Sequence, residues 1–133
     1  MKVVSLETAK LLKEAGYPQK AAYYYCYSCI DPNKDMSLFP MVVKPNALEW
    51  YVAPITDEIL ENLPDRIRKD NLNYGFRLWF VDYMPHVRHY CCNYFVLDYG
   101  KKGKLIMDDF IVEQFSAEAV AKVWLYLRKN KLI

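Results

Sequence analysis

Glycine is scarce in this chain. Four glycines occur in 133 residues, and none are grouped as a phosphate-cradling loop requires, so a Gly-rich nucleotide loop is excluded. A charge surplus of one sign is missing as well. Eighteen basic residues stand against 16 acidic ones, for a formal +2, whereas nucleic-acid binding draws on a concentrated basic surface. Most of the small basic excess lies in two short runs, at residues 101–104 and 128–131. Long apolar runs are absent too. No window approaches the ~18 apolar residues of a membrane span, and Glu7, Lys10, Lys13 and Glu14 break up the N-terminal stretch where a signal peptide would need an apolar stretch. The expected home is therefore the cytoplasm, with the four cysteines as reduced thiols.

What the chain does have is tyrosine: 12 of them, within an aromatic share of 16%. Aromatic side chains suit half-buried pleated surfaces and interfaces, because the ring packs while the hydroxyl stays wet. Hydrophobic content of 53% and charged content of 26% are ordinary for one globular domain of this length.

Three helices are marked by their ends. The first has Ser5 as N-cap, runs through "LETAKLLKEA" and stops at Gly16, with Pro18 beyond. The second follows Pro54, with Thr56 as N-cap, Asp57 and Glu58 favourable to the helix dipole, and Ile55 and Leu60 as a hydrophobic staple. Pro64 ends it. The third starts at Ser116 with a Phe115–Val120 staple, and Val120, Val123, Trp124 and Leu127 recur at helical spacing.

Strand-like runs lie between them. Residues 21–30 and a weaker extended run near 41–44 flank the turn "DPNKD". "LEWYV" reads as a strand, and residues 74–83 and 89–99 form two aromatic and β-branched runs. "YGKKGK" leads as a hairpin loop into "LIMDDFIV". The order is α-β-β-β-α-β-β-β-α. It predicts a single α+β domain over residues 1–133, an antiparallel sheet of about five to six strands packed against three helices.

The stretch "AAYYYCYSCI" holds a C-x-x-C pair, Cys26 and Cys29. On an extended strand Tyr23, Tyr25, Tyr27 and Cys29 share one face, and Tyr24, Cys26 and Ser28 the other. The two sulfurs then point apart, whereas zinc or a redox pair needs a tight turn to bring them together. His86 and His89, with Cys91 and Cys92, lie roughly 55 residues further on, a gap outside the familiar zinc spacings, and the adjacent cysteines would again face opposite sides of a strand. "DPNKDMS" has Asp31, Asn33, Asp35 and Ser37 at calcium-loop spacing, but Met36 stands where the loop needs Gly and Val42 where it needs Glu. Asp108, Asp109 and Glu113 read as a solvated edge. No catalytic set, metal site or cofactor follows, and an enzyme is not expected.

The segments "SLETAKLLKEAGYPQ", "YVAPITDEILENLP" and "SAEAVAKVWLYLRKN", in this order, resemble small uncharacterised proteins of bacteriophages and prophage-like elements from Bacteroides-type bacteria, in which three such helices frame a variable β region. The resemblance implies provenance and carries over no catalytic residue. The leading expectation is an accessory protein of phage or mobile-element type that binds or self-associates through an aromatic sheet surface. Tyr23, Tyr25 and Tyr27 would carry it, with a homodimer or another protein as partner. The alternatives are a weak nucleic-acid-binding module using Lys101, Lys102 and Lys104 with exposed tyrosines, and a metal- or thiol-dependent enzyme.

Overall fold

The computed structural model describes residues 2–27, 35–41, 49–84, 87–98, 104–107 and 111–133. Its elements run α1 (Leu6–Glu14), β1 (Tyr23–Cys26), β2 (Ser37–Pro40), β3 (Trp50–Val52), α2 (Thr56–Glu61), β4 (Arg66–Lys69), β5 (Leu72–Met84), β6 (Val87–Val96), β7 (Ile111–Glu113) and α3 (Ser116–Lys129). The fold is α+β, as the helix and strand order predicts. The strands form two antiparallel sheets instead of one: β2-β1-β3 and β4-β5-β6-β7. The additional strand is β4, reached through a two-residue turn, Asp70–Asn71, with both residues at positive φ. The turn "DPNKD" and the loop "YGKKGK" fall mainly outside the described residues.

The helix ends follow local chemistry. Ser5 caps α1, its Oγ accepting from the Thr8 N–H at 3.2 Å. Gly16, at φ +87°, gives the left-handed residue that closes the helix: the Tyr17 N–H reaches Leu12 O at 2.8 Å and the Gly16 N–H reaches Lys13 O at 3.1 Å. At α2 the cap lies one residue earlier than expected, on Ile55, and Thr56 is already helical. Ile55 has no side-chain acceptor, so Glu58 supplies the anchoring: its carboxylate accepts from the Ile55 N–H at 2.9 Å and from the Ala22 N–H at 2.8 Å. That fixes α2 against the entry to β1. In the same way Glu118 of α3 accepts from Ser5 N–H and from Thr8 Oγ1, tying α3 to the start of α1.

The core lies between α3 and one face of the larger sheet. Tyr74, Cys92 and Tyr94 point inward with Ile67, against Ala119, Val120, Val123, Trp124 and Leu127. Tyr94 is fully buried, and its hydroxyl donates to Pro64 O at 2.6 Å. Tyr17 meets Trp124 edge-on with ring centroids 5.1 Å apart. The fully buried Asn93 is satisfied: its amide donates to Met107 O at 3.2 Å, while its oxygen accepts from the N–H groups of Tyr94 and Met107. Residues 104–107 thereby continue along the β6 edge that β7 also uses.

Candidate binding surfaces

The tyrosine face of the smaller sheet is built by register. Tyr25 pairs with Leu38 on β2 and with Tyr51 on β3, and Tyr23 pairs with Pro40, so these side chains share a face. Tyr23 and Tyr25 are half-buried against the core, and the Tyr25 hydroxyl donates to Val4 O at 2.9 Å. Burial, with Glu118 nearby, raises the Tyr25 pKa. Helix α1 covers part of this face: the ammonium groups of Lys13 and Lys10 lie 5.1 and 5.7 Å from the Tyr51 ring centroid. The Tyr51 hydroxyl donates to Glu49 Oε1 at 2.6 Å, and that bond, more than burial, pushes its pKa up to about 12. What stays open is Tyr27, 44% exposed, and Leu38, 40% exposed on the outermost strand. The opposite face carries a second aromatic group, with the Tyr24 ring 5.9 Å from Phe39 and 6.4 Å from Trp50.

Among the described residues, the adjacent Cys91 and Cys92 face opposite sides of the larger sheet. Cys92 faces the core, where its thiol donates to Ala119 O at 3.3 Å. Cys91, the next residue, is on the other side of the sheet, between Trp79 and Val112 in the register. Burial pushes the Cys92 thiol up to about 12, with smaller contributions from Cys91 and Glu113, and also raises Cys91. Burial of this kind disfavours the thiolate, the reactive form of cysteine. Cys26, at the end of β1, is buried; Cys29 and His86 lie outside the described residues. Among the described residues no three His, Cys, Asp or Glu side chains form a group able to hold a metal ion. Glu113, read as part of an acidic edge, pairs with Lys122 of α3; Asp108 and Asp109 lie outside the described residues.

Of the three lysines singled out, Lys104 is exposed beside β6, its carbonyl accepting from the Val96 N–H at 3.1 Å. Lys101 and Lys102 lie outside the described residues. A depression of 530 Å³ between the starts of α2 and α3 is lined by Lys2, Thr56, Asp57, Arg88 and Ser116 among others. Its cations are engaged: Lys2 lies 3.8 Å from the Phe115 ring centroid, and Arg88 lies over Phe80 and against Asp82.

One surface was not expected from the sequence, the outer face of the larger sheet. Arg66 and Arg68 alternate with the inward Ile67 on β4, and Arg77 and Trp79 alternate with the inward Phe76 and Leu78 on β5. Phe95 joins them from β6, 5.6 Å from Trp79 between ring centroids, with the Arg77 guanidinium 5.4 Å from its ring centroid. Gly75 leaves space there for Leu97, since a Cβ at Gly75 would come within 3.1 Å of the Leu97 side chain. In the sequence only the Arg-Ile-Arg alternation of "RIRK" points to it, since Leu78, Trp79 and Phe80 run on as three apolar residues.

Comparison with protein-family models, with curated proteins and with solved structures finds no match to this chain. No helix among the described residues is long and apolar enough to cross a membrane.

Proposed function

We propose that this protein acts by binding, and that two copies associate through the tyrosine face of the three-stranded sheet. The observation that carries the reading is the exposure of Tyr27 and Leu38 beside the anchored Tyr23, Tyr25 and Tyr51. Rings fixed from behind lose little freedom on contact, and apolar side chains rimmed by hydroxyls suit a protein interface. The β2 edge beside them includes Pro40, which limits open-ended strand addition and favours a closed, face-to-face contact. The resemblance of the three helix segments supports an accessory role in a bacteriophage or mobile element, acting in the cytoplasm. The neighbouring genes test that part of the reading.

Light scattering during gel filtration tests the association. The expected result is a dimer that becomes a monomer in Leu38→Glu and in Tyr27→Glu, with circular dichroism unchanged. A wild-type protein that stays monomeric at high micromolar concentration refutes the reading.

A further inference from the structure

The outer face of the four-stranded sheet sets three arginines beside two rings. Arg66, Arg68 and Arg77 are exposed on it, and Trp79 and Phe95 are half-exposed between them. Among the described residues of β4 to β7, no carboxylate points from this face. Asp65 and Asp70 flank β4, and Asp98, past the end of β6, accepts from the Asn73 N–H at 2.6 Å and lies close enough to Arg68 to be stabilised by its charge. Helix α3 packs on the other side, through Cys92 and Ala119.

We infer that this face binds single-stranded nucleic acid. The register sets the spacing. Arg66, Gly75 and Phe95 lie in one row across three strands, which puts the Cα atoms of Arg66 and Phe95 about 10 Å apart. Along β5, Asn73 to Trp79 covers roughly 20 Å, the span of a short unpaired segment. Guanidinium groups neutralise phosphates, while half-exposed rings stack on bases whatever their identity. The charge pattern also discriminates between occupants. A second copy on this face would bring two clusters of three arginines together, a like-charge arrangement that costs affinity, whereas a polyanion complements all three arginines and meets a single nearby carboxylate, Asp98 beside Arg68. This surface differs from the tyrosine face, so either can fail without the other.

Fluorescence anisotropy with labelled oligothymidylate, oligouridylate and a duplex of equal length tests the inference on the full chain. Both single strands should bind at low salt and the duplex more weakly; a difference between the first two tells DNA from RNA. With three phosphates contacted, the slope of log affinity against log salt should be about −2, so a fourfold rise in salt weakens binding roughly 20-fold. The combined change Arg66→Ser, Arg68→Ser and Arg77→Ser should remove this salt-dependent binding, and Trp79→Leu should weaken it roughly fivefold or more. The arginines are solvent-exposed, so the triple variant keeps the test alive even where Trp79→Leu fails to fold. No binding at low salt, a triple variant that binds like wild type, or equal binding of duplex each overturns the inference. So does a wild-type oligomer that dissociates in the triple variant, since the face would then hold a second copy.

Discussion

The two sheets of this protein are both rich in aromatic residues but are held by different forces. Strands β1 to β3 have three or four residues each and give the buried core only Cys26 and Val52. Tyr23, Tyr25, Trp50 and Tyr51 pack on the core only in part, and polar tethers add to that contact: Tyr25 to Val4 O, Lys13 Nζ to Trp50 O at 2.7 Å, and Glu58 to Ala22 N–H. The longer β5 and β6 instead place Tyr74, Cys92 and Tyr94 under α3, where burial of apolar surface dominates. A strand too short to bury its face can be docked by hydrogen bonds, and the rings it leaves half-open become available for contact.

Substitution of one aromatic residue per sheet breaks this comparison most sharply. Tyr94→Ala removes a fully buried ring and leaves Pro64 O without its donor, so chemical denaturation should show a loss of about 3–5 kcal/mol. Tyr24→Ala, on the half-exposed side of the smaller sheet, should cost less than about half of that. Equal losses would mean that the smaller sheet is held by burial too.

The next effect concerns alkaline pH. The Cys92 thiol has its folded-state pKa raised to about 12 from an ordinary value of 9.0, because burial disfavours the thiolate. A raised value means that the stability is fully present below pH 9 and lost as pH rises from there towards 12, since the unfolded chain releases its proton first. Between pH 9.5 and 10.5 the protein should lose about 1.4 kcal/mol per pH unit from this group alone. Denaturation curves of Cys92→Ser should lack that part of the slope. A variant with the wild-type slope would place the titrating group elsewhere.

Much of this architecture was legible in the sequence, because helix ends and strand alternation are local. Ser5, Gly16 and the Val120–Leu127 spacing mark α1 and α3 through contacts within a turn or two. Strand partners are not local: alternation in residues 21–30 says which side chains share a face, not that β1 pairs only with β2 and β3, so two sheets read as one. Strand β4 escaped notice because its turn, Asp70–Asn71, has neither Gly nor Pro. The tyrosine face could be read from one strand. The arginine and aromatic face could not, because its members come from three strands that only the tertiary register brings together.

That turn gives a third test, confined to the larger sheet. Asp70 and Asn71 have φ of 52° and 63°, the double left-handed conformation of a two-residue hairpin. Asn tolerates it and a β-branched residue does not, so Asn71→Val should cost about 1–2 kcal/mol, while Asn71→Gly should be neutral or mildly stabilising. A harmless valine would show that β4 can leave the sheet at little cost, making it a tethered edge like β2.

The smallest effects compare the helices that hold each sheet. α1 abuts the smaller sheet through Lys13, α3 covers the larger one, and both end in the same hydrogen-bond pattern. In α3 the Leu132 N–H reaches Leu127 O at 2.8 Å and the Lys131 N–H reaches Arg128 O at 3.2 Å. The left-handed residue there is Lys131, at φ +56°, where α1 has Gly16 at +87°. The side chain at 131 strains the backbone and glycine at 16 does not, so Lys131→Gly should stabilise and Gly16→Ala destabilise, each by about 1 kcal/mol. Space does not limit the second change, since a Cβ at Gly16 would sit 3.4 Å from Arg128 Nη2, an ordinary contact. Arg128 also donates from Nε to Ala15 O at 3.1 Å, so the last turn of α3 helps close α1. Opposite signs from the paired denaturation curves would show that both helices stop by the same backbone requirement; two losses would show that Lys131 is held by contacts that outweigh its strain.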